Sequence, residues 1–268
     1  MTDPSGFSAP PRRRSADHDQ YEELLRFEDI WKAFGRNVIY EGLDLTVLRG
    51  EVLTIVGGSG TGKSVLLKCL LGLLEPDRGR IYAFGEEVTG RSEEDMLPVR
   101  KRVGMLFQGA ALFDSMSVYE NVAWPMRTHG ERDEEVIRAR VHELLGLLDL
   151  HGVVDSMPAE LSSGFAKRVG LARTLAVQPD VILYDEPTTG LDPSNIKMVD
   201  QLVVDMQEEL GVTSIVVTHD MDSAFRISDR IAVLWNKGIE WVGYQDEIES
   251  AENPIVRNFV SGDVGVAK

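Results

Sequence analysis

The sequence predicts an α/β chain with a largely parallel sheet, to which an antiparallel β piece and an inserted helical piece are added. Three observations point there. First, short apolar runs rich in β-branched residues recur along the chain: VLTIVGG (52–58), RVGMLFQ (102–108), VILYD (181–185) and TSIVVTH (213–219). Continuous apolar runs of that length suit strands buried on both faces, and helical stretches lie between them. Second, the texture changes from about residue 111 to 160, where EEVIRARVHELLGLLDL (134–150) carries Val136, Ile137, Val141, Leu144, Leu145 and Leu148 at helical spacing. Third, IAVLW–NKG–IEWVG (231–243) reads as a hairpin with a Gly turn, an antiparallel edge to the sheet.

The elements follow in order. Residues 1–24 are rich in Pro, Ser and Arg and read as a disordered lead, with order expected from Leu25. LRFEDIWKAF and VIYEGLDLTVLRGE are strand-like and flank the turn GRN. A glycine-rich turn follows VLTIVGG, and SVLLKCLLGLLEP is expected to be a helix stopped by Pro76. DRG (77–79) and FGEEV (84–88) read as turn-flanked pieces. LSSGFAKR (161–168) opens a helix to about Ala176, with Ser162 as N-cap. IKMVDQLVVDMQEEL (196–210) and MDSAFRIS (221–228) supply later helices. The main body is expected over 25–243, with a helical subdomain at about 111–172 and a tail at 244–268. In the tail, Pro254 breaks the chain and Ile255, Val256, Phe259 and Val260 form an apolar patch, which docks on its own subunit or grips a partner.

Composition excludes several classes. Lys and Arg number 28 against 44 Asp and Glu, a net charge of −16, which argues against a polyanion as the main partner. A small cradle of backbone amides can still hold an anion on such a surface. Cys69 is the single cysteine, so no intrachain disulfide forms, and its apolar neighbours predict an inert buried thiol. No run of about 18 apolar residues predicts a membrane span, and the N-terminus lacks a secretory h-region. A cytoplasmic location is expected.

The chemistry is concentrated at strand ends. GGSGTGKS (57–64) matches G-x-x-x-x-G-K-[ST] between a buried strand and a helix. There Gly57, Gly58, Ser59, Gly60, Thr61, Gly62, Lys63, Ser64 and Val65 would wrap phosphates. Lys63 can bridge β- and γ-phosphates, and the Ser64 hydroxyl can ligate Mg²⁺. VILYDE ends with Asp185, a candidate Mg²⁺ holder, and Glu186, a candidate base for an attacking water. Adjacent strand residues point to opposite faces, so the two acids are expected to diverge. His219 ends TSIVVTH and Gln108 ends RVGMLFQ; the first could donate to a phosphate or the water, the second could sense Mg²⁺ or water.

With these motifs in place, the chain resembles the nucleotide-binding subunit of an ABC transporter from about residue 27 to 243. The pieces, in order, are GGSGTGKS, Gln108, LSSGF, VILYDEP, GLD (190–192) and TH (218–219). The resemblance implies a P-loop NTPase with a RecA-like core, an antiparallel β subdomain and an inserted helical subdomain. It implies ATP and Mg²⁺ as cofactors, and Phe34 in KAFG as the aromatic that stacks on adenine. It implies a head-to-tail homodimer in which Ser162, Ser163 and Gly164 of one subunit face the γ-phosphate held by the other, with Asp192 contacting across the interface.

One departure stands out: the family's usual LSGGQ is LSSGF here. Ser163 would be strained if its position required φ > 0. Together with GALFDSMSVYENVAWPMR (109–127) and the ending NPIVRNFVSG (253–262), LSSGF resembles the Mce-type (Mla-like) lipid-transport ATPases. That implies a multi-spanning permease and an Mce-domain lipid-binding protein as partners, no nucleic acid, and a place on the inner face of the plasma membrane. The alternative is an ATPase serving a polar-solute importer, such as one for amino acids. A soluble ABC ATPase acting on nucleic acid is disfavoured by the acidic surface, and an inactive scaffold by the intact Lys63, Asp185, Glu186 and His219.

Overall fold

A computed structural model of the chain describes residues 20–248, 251 and 253–260. Two sheets form. The antiparallel one has the order β2-β1-β4-β5, from β1 (Glu23–Phe34), β2 (Asn37–Leu48), β4 (Arg78–Ala83) and β5 (Glu86–Glu87). The other has the order β10-β9-β3-β8-β7-β6, from β3 (Val52–Val56), β6 (Val103–Leu106), β7 (Val181–Asp185), β8 (Thr213–Thr218), β9 (Arg230–Trp235) and β10 (Gly238–Tyr244). Every pairing in this second sheet is parallel except the β9–β10 hairpin. The sheets and the helical insertion agree with the sequence expectation.

Helices α1 (Lys63–Leu70), α2 (Glu93–Arg102), α3 (Val118–Thr128), α4 (Glu134–Leu147), α5 (Ser163–Leu175), α6 (Pro193–Leu210), α7 (Met221–Ile227), α8 (Gln245–Ile248) and α9 (Pro254–Val260) complete the order. The period of two along each central strand divides the core. Val181 and Leu183 of β7 face the cluster shared with the antiparallel sheet and α1, with Phe27, Tyr40 and Leu66. Ile182 and Tyr184 face the cluster built with α3, α4, α5 and α6, including Val122, Leu144, Val169 and Val203. α5 is thus wedged between the parallel sheet and the helical insertion.

Several elements depart from expectation, each for a local reason. Order starts before Leu25: β1 begins at Glu23, and Leu24 is buried in the first cluster. α1 ends at Leu70, well before Pro76. Gly72 takes φ 64 and Leu73 N donates to Lys68 O at 2.9 Å, a left-handed glycine closure. α2 was not expected, because it buries only Met96 and Val99. It rests instead on the Ser92 cap, three acids in the first turn and three basic residues in the last. Val136, counted on the apolar face of α4, is exposed. In the β9–β10 hairpin the left-handed residues are Asn236 (φ 45) and Lys237 (φ 72), not Gly238, as a two-residue type I′ turn requires.

The tail is continuous with the body. Tyr244 closes β10, α8 follows at once, and Val256 and Phe259 of α9 are buried with Ile231, Val233 and Ala224 of the same chain. Phe259 meets Trp235 edge-on at 5.9 Å. The Val260 side chain, residues 261–268 of the expected tail and residues 1–19 of the expected disordered lead lie outside the described residues. Among the described residues, no helix is long and apolar enough to cross a membrane.

Candidate functional site

The C-terminal ends of β3, β6, β7 and β8 open on one cleft of about 540 Å³, at the edge where parallel sheets bind ligands. Its lining comprises Ile39, Ser59, Gly60, Gly62, Lys63, Ser64, Val65, Gln108, Glu186, Thr189 and His219. The chain thus brings four strand ends, predicted separately, to one place.

The loop from β3 to α1 is shaped by two constraints. Gly62 has φ 106, and a Cβ there would stand 2.4 Å from Ile39 Cγ2, so only glycine fits. Tyr40 Oη donates to the Gly62 carbonyl, and burial pushes that hydroxyl's pKa far up, which keeps it a donor. Gly62 also caps α1 without any side-chain partner, and its carbonyl takes the N–H groups of Val65 at 2.7 Å and Leu66 at 3.2 Å. Thr61 folds back, its hydroxyl donating to Gly58 O at 3.0 Å. Such a turn of amides at a helix N-terminus is a cradle for phosphate.

Lys63 is 7% exposed and donates to Gly57 O at 2.9 Å and Gly58 O at 3.1 Å. Its Nζ also lies 3.4 Å from Glu186 Oε1. Ser64 Oγ donates to Asp185 Oδ1 at 2.6 Å. A hydroxyl and a carboxylate set side by side are hard oxygen donors of the number that Mg²⁺ takes from a protein when phosphates and waters supply the rest. Among the described residues no group of three or more His, Cys, Asp or Glu could hold a metal, which agrees with so sparse a donor set.

Asp185 and Glu186 do not diverge as strand alternation suggested. Glu186 lies past the end of β7 with φ 50, and its N–H donates to Val217 O at 2.9 Å. The left-handed residue turns its side chain back, so both acids address the cradle. Glu186 Oε2 pairs with His219 Nδ1 at 2.8 Å and accepts from Thr189 Oγ1 at 3.1 Å. Gln108, exposed at the end of β6, faces the same space.

The remaining candidates lie elsewhere. Ser162, Ser163, Gly164, Asp192 and Phe34 do not line the cleft. Ser162 caps α5, accepting from Phe165 N at 3.4 Å, and both it and Ser163 are exposed. Ser163 has no positive φ, so its Cβ brings none of the strain considered above. Gly164 is buried against α6: a Cβ there would meet Asn195 Oδ1 at 2.6 Å. Asp192 caps α6 through Ser194 N and Asn195 N, and those hydrogen bonds, led by the one from the Ser194 hydroxyl, hold its carboxyl far below the usual range. Phe34 is 46% exposed at the β1–β2 turn, with Lys32 Nζ 5.3 Å from its ring centre, so it is not a core residue.

Sequence reasoning missed Tyr40, Thr189 and Lys167. Lys167 of α5 is 4% exposed and donates to the carbonyls of Pro187 and Thr189, in the turn just after Glu186. Its signal was a lysine inside a helix face otherwise made of small and apolar residues.

Comparison with known proteins shows the family. The ABC transporter family profile matches residues 40–189, more than half of the chain. A probable ribonucleotide transport ATP-binding protein, Mkl, from Mycobacterium tuberculosis is 40% identical over 89% of this chain. The chain spans only 66% of the length of that relative. The intermembrane phospholipid transport ATP-binding protein MlaF of Escherichia coli is 37% identical over 89% of both chains. The methionine import ATP-binding protein MetN of Rhizobium johnstonii is 42% identical over 80% of this chain and 59% of its own. Among solved structures, a dimeric post-hydrolysis cassette bound to ADP and Pi, MJ0796, superposes with a TM-score of 0.76 at 29% identity, covering 82% of this chain and 98% of that one. Cassettes of this family are ATPases that take ATP with Mg²⁺. The chain belongs to the ABC transporter family, as one of its ATP-binding cassettes.

Proposed function

We propose that this cassette hydrolyses ATP as a head-to-tail homodimer, on the cytoplasmic face of the inner membrane, to energise a permease that moves phospholipids across the cell envelope. The observation that carries the dimer is the separation within one chain. The cradle opens on one cleft, while the exposed Ser162 and Ser163 stand at a helix N-terminus that does not line it. A second copy, turned head to tail, brings that N-terminus to the phosphates. A similar cassette bound to ADP and Pi is dimeric, which supports the reading.

In this reading the residues divide the work. The amides of the loop and the Lys63 ammonium hold the phosphates. Ser64 and Asp185 would hold the Mg²⁺ ion, which when bound would neutralise phosphate charge. Glu186 orients and polarises the water. Its Oε2 is committed to His219 and Thr189. Its Oε1 lies 3.4 Å from the Lys63 ammonium and is freed for the water when Lys63 turns to the phosphates. A neutral His219 that donates from Nδ1 to the carboxylate has no proton on Nε2, so donation to a phosphate as well requires the protonated ring. Phe34 stacks on adenine, Gln108 senses the metal and water, and Asp192 couples the two sites across the interface. Glu186→Gln tests this: turnover should fall about a hundredfold or more, and ATP should trap dimers visible by light scattering. Retained turnover overturns the role of Glu186.

The lipid substrate is supported by the relation to MlaF, which extends over 89% of both chains. It brings with it a multi-spanning permease and an Mce-domain lipid-binding protein as partners. The 42% identity to MetN supports a second reading, a polar-solute importer. Affinity purification of the tagged chain from its native membrane separates them. A permease with an Mce-domain protein and bound phospholipid supports the first reading, and a permease with a solute-binding protein supports the second.

A further inference from the structure

α5 carries two different contacts one turn apart. At its start, Gly164 packs on Asn195, whose amide donates to Asp192 Oδ2 at 2.5 Å. One turn later Lys167 is buried, and its ammonium donates to Pro187 O and, at 3.1 Å, to Thr189 O. That turn is the one that follows Glu186. Within it Thr189 N donates to Glu186 O at 3.3 Å, and Thr189 Oγ1 donates to Glu186 Oε2 at 3.1 Å. Glu186 itself sits in the left-handed region, at φ 50, which a residue other than glycine holds only when its surroundings enforce it.

A buried lysine is costly unless its protons are satisfied. Burial lowers the pKa of Lys167, and the Glu186 carboxylate acts against that shift. The two carbonyls are oriented to receive the ammonium, and Pro187 has no N–H to offer a competing turn.

We propose that Lys167 is a positioning residue for the hydrolytic step: it clamps the 187–189 turn to α5, and through Thr189 it fixes the orientation of the Glu186 carboxylate. The proposal rests on the reading of Glu186 as the group that polarises the water. It adds a mechanical link: the helix whose N-terminus is offered to a second subunit and the carboxylate of its own subunit's cleft are joined by one side chain. Seating of Ser162 and Gly164 then bears on Glu186 without any contact between them.

The test uses the purified full-length chain with Mg²⁺-ATP. Lys167→Met keeps most of the apolar stem and removes the charged donor. Its kcat should fall about tenfold with KM for ATP unchanged, because the phosphate cradle is untouched. Lys167→Gln, with a shorter donor, should recover part of that loss. Thr189→Val should lower kcat similarly, and the Lys167→Met/Thr189→Val double variant should be no worse than the poorer single one. A wild-type kcat in Lys167→Met overturns the proposal. So does full additivity in the double variant. Should Lys167→Met not fold, Thr189→Val and Lys167→Gln decide alone, and wild-type kcat in both overturns it. Retained turnover in Glu186→Gln, by contrast, defeats the underlying reading of the carboxylate, whatever Lys167→Met does.

Discussion

Gly164 and Asn195 touch so closely that the Cβ of an alanine at 164 would stand 2.6 Å from the Asn195 amide oxygen. That oxygen belongs to a side chain already tied to Asp192 at 2.5 Å. The start of α5 and the start of α6 are thereby packed as one piece, and the absence of a Cβ at 164 leaves the Asn195 amide its place. Gly164→Ala must turn the Asn195 amide off Asp192 or push the two helix ends apart, and turnover should drop about tenfold or more with the cradle intact. Asn195→Ala in that background makes room and should return part of the activity. An ATPase assay on the single and double variants decides, and an equal loss in both would speak against the packing.

The Ser64–Asp185 pair makes a prediction about the metal. The hydroxyl and carboxylate lie 2.6 Å apart, and among the described residues no group of three or more His, Cys, Asp or Glu could hold a cation in their place. Ser64→Ala should raise the Mg²⁺ concentration needed for half-maximal turnover about tenfold or more. Titrating Mg²⁺ at fixed ATP reads this directly. An unchanged requirement would remove Ser64 from the metal site.

The tail predicts a stability effect in its own subunit. Phe259 is buried against Trp235, so Phe259→Ala should cost about 3 kcal/mol of unfolding free energy. Chemical denaturation measures it. Deleting 253–268 should lower stability through the loss of Val256 and Phe259, and light scattering of the same variant shows whether dimerisation weakens as well. A deletion that leaves stability unchanged would contradict the packing of α9.

Cys69 offers a clean probe of unfolding. It is 3% exposed, and burial pushes its thiol up to about 11. The folded chain should therefore resist thiol reagents at about pH 8, and denaturant should make the single site react fast. Rapid labelling of the native chain would show that α1 opens locally.

Much of this architecture is legible in the residues. β7 runs over Val181–Asp185, as its apolar run indicates, because a strand buried on both faces leaves no other pattern. The cradle is equally plain, since glycine spacing, lysine and hydroxyl must come together there. Glu186 was placed less well. Alternation holds only while the strand continues, and the chain turns left-handed at that very residue. α2 escaped because charge order, not apolar period, carries it. Lys167 was illegible for another reason. Its partners are backbone carbonyls 20 and 22 residues away, and a carbonyl has no letter in a sequence. Ser163, by contrast, raised a concern that the helix removes, since its φ is ordinary there.

Tyr40 and Ile39 have a wider consequence. Both belong to β2, in the antiparallel sheet, yet one holds the Gly62 carbonyl and the other fills the space beside its Cα. The glycine-rich loop is therefore a joint between two sheets, and its shape is borrowed from a strand that precedes it in the chain. A fragment beginning at β3 would inherit the motif without its buttress. The dependence also runs the other way: a nucleotide that clamps the loop braces the antiparallel sheet against the parallel one. Amide hydrogen exchange along β2, beyond Ile39 at the cleft, should slow when ATP binds.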